Sequence, residues 1–405
     1  MPPSARFPRY VRDDNLAMPN ISEHIFLIAA LRTPIGKFGG SLVSMSAPDL
    51  GVASAKATIE RSGIDPASID EVIFGNARQA GVGPNAARQI AIRSGLRHEV
   101  PAYTVNQACG SGLRAIMNAA DQIRLGQAEV ILAGGTESMS NTPYLLTRAR
   151  WGTKMGHQEL VDGMYRDGFM CPLADEMMGA TAETLAERYG ISRQEQDEYA
   201  LSSQKKAQRA YAENRFANEI VPLDKLQRDE HPRFDTDLGS LAKLPPVFRK
   251  GGSVHAGNSS GVTDGASSML VASAEAVKKH GLKPMARIVG YAQAGVDPKI
   301  MGIGPVPATQ KLLRDVGMSL NDMDLIELNE AFAAQVIACD REMHLDRDKL
   351  NVHGGAIALG HPIGCTGARI TTTLLHALES HDKTTGLATL CISGGMGLSM
   401  IVERV

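Results

Sequence analysis

From residue 25 the chain reads IFLIAALR, an unbroken apolar run that predicts a buried strand, and RTPIGKFGG then turns through glycines into a helical stretch near residues 47–62. IDEVIFGN predicts another strand. Further on, GLRAIMNAADQIRLG spaces Leu113, Ile116, Met117, Ala120 and Ile123 at helical intervals, and AEVILAGG follows as a fully apolar strand ending in Gly134 and Gly135. Strand, helix and strand in alternation predict a mainly parallel, covered α/β sheet.

The second half repeats this order. MDLIELNEAF matches IDEVIFGNAR in its acidic residue, its apolar positions and the asparagine that ends them, Asn329 or Asn76. GCTGARITTTLLHAL before LATLCISGGMG echoes CGSGLRAIMNAA before VILAGGTESM. Two similar α/β halves are therefore expected. Between them lies a stretch of different character, from about residue 141 to 261, with the helical run ISRQEQDEYALSSQKKAQRAYAENRF, which reads as an inserted loop domain. The expected division is an extension over 1–22, an N-terminal half over 23–141 completed by about 263–284, a loop domain over 142–262 and a C-terminal half over 285–405.

Composition narrows the class. With 405 residues the chain exceeds what one core supports, and 43% hydrophobic, 21% charged and a net charge of -2 describe a soluble globular enzyme, not a nucleic-acid binder. The N-terminal extension has no apolar run of signal-peptide length, and nothing along the chain is long and apolar enough to span a membrane. The five cysteines, Cys109, Cys171, Cys339, Cys365 and Cys391, are odd in number and lack C-x-x-C spacing, which argues against a disulfide framework and for a reducing cytoplasm. No metal centre or P-loop is expected: His98-Glu99 lacks the second histidine of H-E-x-x-H, and no cluster has ligand spacing.

One cysteine stands apart. In NQACGSGLRAIM, Cys109 precedes Gly110-Ser111-Gly112 at the mouth of a helix, where partial positive charge favours a thiolate and hence a nucleophile. A competing reading takes GSGLRA with Glu129 as a dinucleotide fingerprint and the protein as a dehydrogenase. That match is weak, because PAYTVNQAC is less apolar than a first Rossmann strand and the fingerprint gives the cysteine no task.

NQACGSGLRA, ELNEAFA, GGAIALGHPIGCTGARI and LCISGGMG, in that order and joined by RTPIGKFGG and AGNSSGVTDGA, closely resemble the motifs of the thiolase family. The resemblance runs from about residue 23 to 405 and implies two five-layered α/β halves with a loop domain. It also implies ping-pong acyl transfer on 3-ketoacyl-coenzyme A thioesters, with coenzyme A as cosubstrate and no bound cofactor. Cys109 matches the acyl-accepting nucleophile, His361 its base and Cys391 the acid-base cysteine at the carbon alpha to the thioester. One oxyanion hole would use His361 with a water held by Asn329. The other would use the main-chain N–H groups of Cys109 and Ser393. Coenzyme A recognition would fall to Arg233, Ser240, Val247, Phe248, Ala256 and Ser260, with Met177, Met178, Ala331 and Phe332 along the acyl and pantetheine tunnel. The family favours dimers or tetramers, so a homodimer or homotetramer acting on acyl-CoA is expected, a homotetramer of β-oxidation being one form.

Three positions depart from the family pattern. Ser393 replaces a common glycine and brings a side chain to the site's border. His353 replaces a common asparagine in NVHGG, either to join the active-site water network or merely to pack. Met177 replaces the histidine of the short-chain enzymes, which implies tolerance of acyl chains longer than four carbons. The rivals are a biosynthetic acetoacetyl-CoA thiolase and a non-catalytic thiolase-like carrier of acyl-CoA or lipid. The complete set Cys109, Asn329, His361 and Cys391 weighs against the carrier.

Overall fold

A computed structural model describes residues 24–152 and 154–405; the expected extension over 1–22 lies outside the described residues. The long strands are β1 (Ile25–Arg32), β2 (Glu71–Gly75), β3 (Ala102–Val105), β4 (Val130–Ser138), β5 (Thr263–Ser273), β6 (Pro284–Gly295), β7 (Leu325–Leu328), β8 (Thr385–Ile392) and β9 (Met396–Arg404). They form one sheet in the order β7-β8-β9-β6-β1-β5-β4-β2-β3, with Gly36–Lys37 paired beside β5. Leu350 forms a parallel bridge with Ile326 of β7. Read inward from either edge, each half repeats the order third, second, fourth, fifth, first, and the two first strands, β1 and β6, meet antiparallel at the centre.

The repeat is as expected, but the sheet is not mainly parallel. Parallel pairing is confined to β3-β2-β4 and β7-β8 at the two ends, while the pairings from β4 through β5, β1, β6 and β9 to β8 are all antiparallel. The difference comes from connections. β8 and β9 are joined by a tight turn at residues 393–395, and β4 reaches β5 only after the long excursion over residues 139–262, so neither pair is a crossover unit.

The helices are α1 (Ala47–Ser62), α2 (Ala86–Arg93), α3 (Ser111–Arg124), α4 (Met178–Arg188), α5 (Arg193–Ala212), α6 (Leu238–Ala242), α7 (Ala274–His280), α8 (Pro305–Val316), α9 (Ala333–Met343), α10 (Ala356–Leu359) and α11 (Ile363–Ser380). α1 is capped at both ends, by the Ser46–Asp49 capping box and by Gly63 in the left-handed region, which is why its limits are readable locally.

Strand periodicity sorts side chains into layers. Along β4, Ile131 and Ala133 face the central layer with α3 and α11, while Val130 and Leu132 face the outer layer with α1 and α2. Along β8, Ala388, Leu390 and Ile392 face the central layer, and Leu387 and Cys391 face α8 and α9 on the other side. The result is five layers: helices, sheet, the pair α3 and α11, sheet, helices. The excursion carries α4, α5 and α6 and is tied to β1 by a buried cluster. Arg32 Nε meets Glu219 at 2.6 Å and Nη1 meets Asp229 at 2.7 Å, all fully buried, and Asp229 also accepts from Tyr211 Oη at 2.7 Å.

Candidate active site

The site follows from how α3 and α11 cross. A side chain added at Gly112 would lie 2.7 Å from the backbone nitrogen of Ala368, and one at Gly367 would lie 2.2 Å from that of Leu113. These glycines hold equivalent places in GLRA and GARI, so the dinucleotide-like fingerprint is explained by close helix packing. The same crossing sets the two helix N-termini side by side, with Cys109 just before α3 and His361 just before α11. Glu129 is spent on a surface ion pair with Lys279 at 2.8 Å.

Local hydrogen bonds fix both residues. Ser111 Oγ accepts from the backbone N–H of Gln107 at 2.9 Å and donates to Ala108 O at 2.7 Å, holding the turn that carries Cys109. His361 follows Gly360, whose φ of 105 requires glycine, and its backbone N–H donates to Gly261 O at 3.2 Å. Gly261 ends the AGNSSG loop, where Ser260 N–H donates to Ala331 O at 3.0 Å and Asn258 O accepts from Ala333 N–H at 2.9 Å. That loop therefore joins the NEAF and GHP turns.

Cys109 Sγ stands 3.4 Å from His361 Nε2. On the far side of the ring, Nδ1 is 2.6 Å from Thr366 Oγ1, and the threonine hydroxyl donates to Pro362 O at 2.9 Å. Since that hydroxyl proton is committed, Nδ1 carries the ring proton and Nε2 presents a lone pair to the thiol. Burial drives the imidazole down to a pKa of about 3, with the charges of Arg369 and Arg78 adding to the effect, so it is neutral at physiological pH.

The expected thiolate is absent from the resting site. Burial raises the Cys109 thiol above its ordinary value, outweighing the Ser393 N–H, the Arg78 charge and its own N–H, all of which favour the thiolate. Cys109 does stand at the helix mouth, and desolvation by the surrounding layers opposes the field there. The pair is a neutral thiol facing a neutral base.

A small cavity of about 70 Å³ lies over these groups and is bordered by Cys109, His361, Cys391, Ser393, Ser260, Met178, Ala331 and Phe332. Cys391 is fully buried, and burial holds its thiol well above the ordinary value, with Cys109 contributing in the same direction. Asn329 is fully buried, and both polar atoms of its amide lack a hydrogen-bond partner in the protein. The adjacent Glu330 is anchored by Tyr199, Ser203, Asn351 and the backbone N–H of Ile357, at 2.7 to 3.0 Å.

The remaining expected contacts divide into separate places. Arg233, Ser240 and Ala256 are exposed and line one open groove of about 220 Å³ together with His231 and Leu244. Phe248 packs edge-on to Phe332, ring centroids 6.0 Å apart, and covers Gly179, where any side chain would collide with its ring. Val247 is 58% exposed. Met177 is not among the residues bordering the cavity; it pairs with Met170 and caps α4, so the chain-length argument shifts to its neighbour Met178. His353 packs against Phe216 and lies 3.0 Å from His381, away from the cavity, with its pKa lowered to about 3 by burial.

Sequence reading missed Thr366, Glu137 and Arg78. Glu137 accepts from Asn76 Nδ2 and from the N–H groups of Ala77, Arg78 and Gly364, at 2.7 to 3.1 Å, and so ties the β2 turn to the start of α11. The repeat held the signal for Arg78. Aligning Asp70 with Asp324, which hold the same strand N–H groups in the two halves, pairs Arg78 with Phe332, and both border the cavity.

A cysteine held against a neutral histidine, with a second cysteine bordering the same small cavity, is equipment for covalent acyl transfer. The family model for the thiolase N-terminal domain matches residues 25–275, and that for the thiolase C-terminal domain matches residues 282–404. The chain is 51% identical over 388 residues to an acetyl-CoA acetyltransferase of Escherichia coli K12, covering 94% of this chain and 98% of the other. Its fold is similar to the crystal structure of the Bacillus anthracis acetyl-CoA acetyltransferase, with a TM-score of 0.93 at 46% identity over 95% of this chain and 100% of that one. It is similar as well to human mitochondrial 3-ketoacyl-CoA thiolase in complex with CoA, with a TM-score of 0.93 at 45% identity over 95% and 99%. The chain belongs to the thiolase family.

Proposed function

We propose that this protein catalyses the reversible thiolytic cleavage of short 3-ketoacyl-CoA to acyl-CoA and acetyl-CoA through an acyl-cysteine at Cys109. The observation that carries the reading is the 3.4 Å contact between Cys109 Sγ and the unprotonated Nε2 of His361. As the 3-keto carbon is attacked, His361 takes the thiol proton, and the oxygen of the tetrahedral intermediate is received by the N–H groups of Cys109 and Ser393. The C2–C3 bond then breaks, its electron pair passes to C2, and the Cys391 thiol protonates that carbon to release acetyl-CoA. Enolate charge on the thioester oxygen is held by His361 and by a water on the Asn329 amide, whose buried and unpartnered polar atoms support that role. The coenzyme A thiol gives its proton to the Cys391 thiolate and attacks the acyl-enzyme, and the departing Cys109 sulfur takes its proton back from His361, giving acyl-CoA and restoring both cysteines.

Coenzyme A lies, in this reading, along the groove of Arg233, Ser240 and Ala256, where an arginine suits a phosphate-bearing nucleotide. Degradation in a reducing cytoplasm fits a mechanism that needs two free thiols. A dimer or tetramer fits the half-buried β3 at the free edge of the sheet. The test is to incubate the protein with acetyl-CoA and map the thioester by mass spectrometry, alongside Cys391→Ala. Label at Cys109, with acetyl exchange kept and thiolysis lost in the variant, is the expected result. Stable label on Cys365 or Cys391, or full thiolysis by Cys391→Ala, would overturn it.

A further inference from the structure

Arg78 is the cavity's one charged neighbour, and it has no partner there. It is 7% exposed and lies against the backbone of Gly168, where an added side chain would meet its Nε and Nη2 at 2.8 Å. Its Nε is buried without a hydrogen-bond acceptor. The carboxylate that feels its charge, Glu137, is already filled by the four N–H donors given above. Phe169, Met178, Met301 and Ile363, which share the cavity wall, offer only hydrocarbon or thioether.

A buried guanidinium nitrogen left without an acceptor is costly, and buried polar groups are ordinarily hydrogen-bonded. The pseudo-equivalent Phe332 fills the matching place with an aromatic ring, so the fold does not demand a cation there. An acceptor arriving with the substrate satisfies Arg78. A planar carboxylate is the group that a guanidinium binds in bidentate fashion, and because Arg78 borders the same cavity as Cys109, a short chain joins that carboxylate to the carbonyl Cys109 attacks.

We propose that Arg78 is a specificity-determining residue that selects 3-ketoacyl thioesters whose short acyl chain ends in a carboxylate. This rests on the thiolase reading and gives it a substrate class. A methyl-ended chain of the same length leaves the buried Nε without an acceptor, and a site built to bind a polar group discriminates strongly against the analogue that lacks it.

The matched probes are 3-ketoadipyl-CoA and 3-ketohexanoyl-CoA, equal in chain length and different in terminal charge. Wild-type thiolysis kcat/KM should favour the carboxylate by about 30-fold or more, the scale of one desolvated charge pair. Arg78→Met should abolish that preference mainly through KM for the carboxylate substrate, and Arg78→Lys should restore part of it. A wild-type ratio near or below one, or a ratio unmoved in Arg78→Met, overturns the proposal. If the wild type cleaves no 3-ketoacyl-CoA at all, the thiolase reading fails on its own account. Protection of Cys109 from iodoacetamide by adipyl-CoA and hexanoyl-CoA, which lack the 3-keto group and cannot undergo C2–C3 cleavage, then decides the role of Arg78: selective protection by adipyl-CoA that is lost in Arg78→Met supports it, and equal protection overturns it.

Discussion

Alkylation of Cys109 by iodoacetamide should accelerate about tenfold for each pH unit between pH 6 and 8, or about 100-fold in all, because one proton must leave the thiol before it reacts. The perturbation is pH alone, and the magnitude follows from the pair described above. The thiol lies above its ordinary value and the imidazole near 3, so the proton belongs on sulfur. Moving the proton from sulfur to Nε2 before substrate binds is therefore strongly unfavourable. The internal ion pair is negligible, and the reactive species is thiolate formed by titration against solvent. A preformed thiolate–imidazolium pair would instead give a flat profile, its inflection lying below pH 6. Timed alkylation followed by peptide mapping reads the rate at Cys109, with Cys109→Ala as the blank. Rates at pH 6 and pH 8 that agree within about threefold would refute the neutral-pair reasoning.

Thr366→Val should slow acylation by about 10- to 100-fold with little change in KM, since the ring loses the acceptor that orients its proton; burst kinetics with acetyl-CoA measure it. Asn329→Ala should lower thiolysis kcat by about 10²–10³-fold while costing little stability, because the amide makes no protein hydrogen bond; parallel thermal melts and assays separate the two effects. Asp229→Asn should destabilise the chain by about 3–5 kcal/mol in urea titration, leaving Arg32 incompletely paired in a dry cluster. Folded His353 stays neutral down to about pH 3, whereas an unfolded histidine titrates near 6.5. Its depressed pKa thus removes about 1.4 kcal/mol of stability per unit as pH falls from about 6. His353→Asn should therefore raise stability at pH 5 relative to its effect at pH 8, read by denaturant midpoints at the two pH values.

Short-range pattern determined the strands IFLIAALR and EVIFG, the limits of α1, and the repeat that brings CGSGLRA and CTGARI into equivalent places. Apolar periodicity, a capping box and a glycine stop act within a few residues, so the sequence by itself holds them. The nucleophile's charge was different. Its position at a helix mouth is local, but its desolvation comes from layers assembled across the whole chain, and its base lies 252 residues away. The antiparallel centre of the sheet, the pairing of Met177 outside the cavity and the acceptor-less Nε of Arg78 beside it were likewise tertiary decisions. Each depends on which distant backbone or side chain fills the space beside a residue, and hydrophobic periodicity carries no record of that.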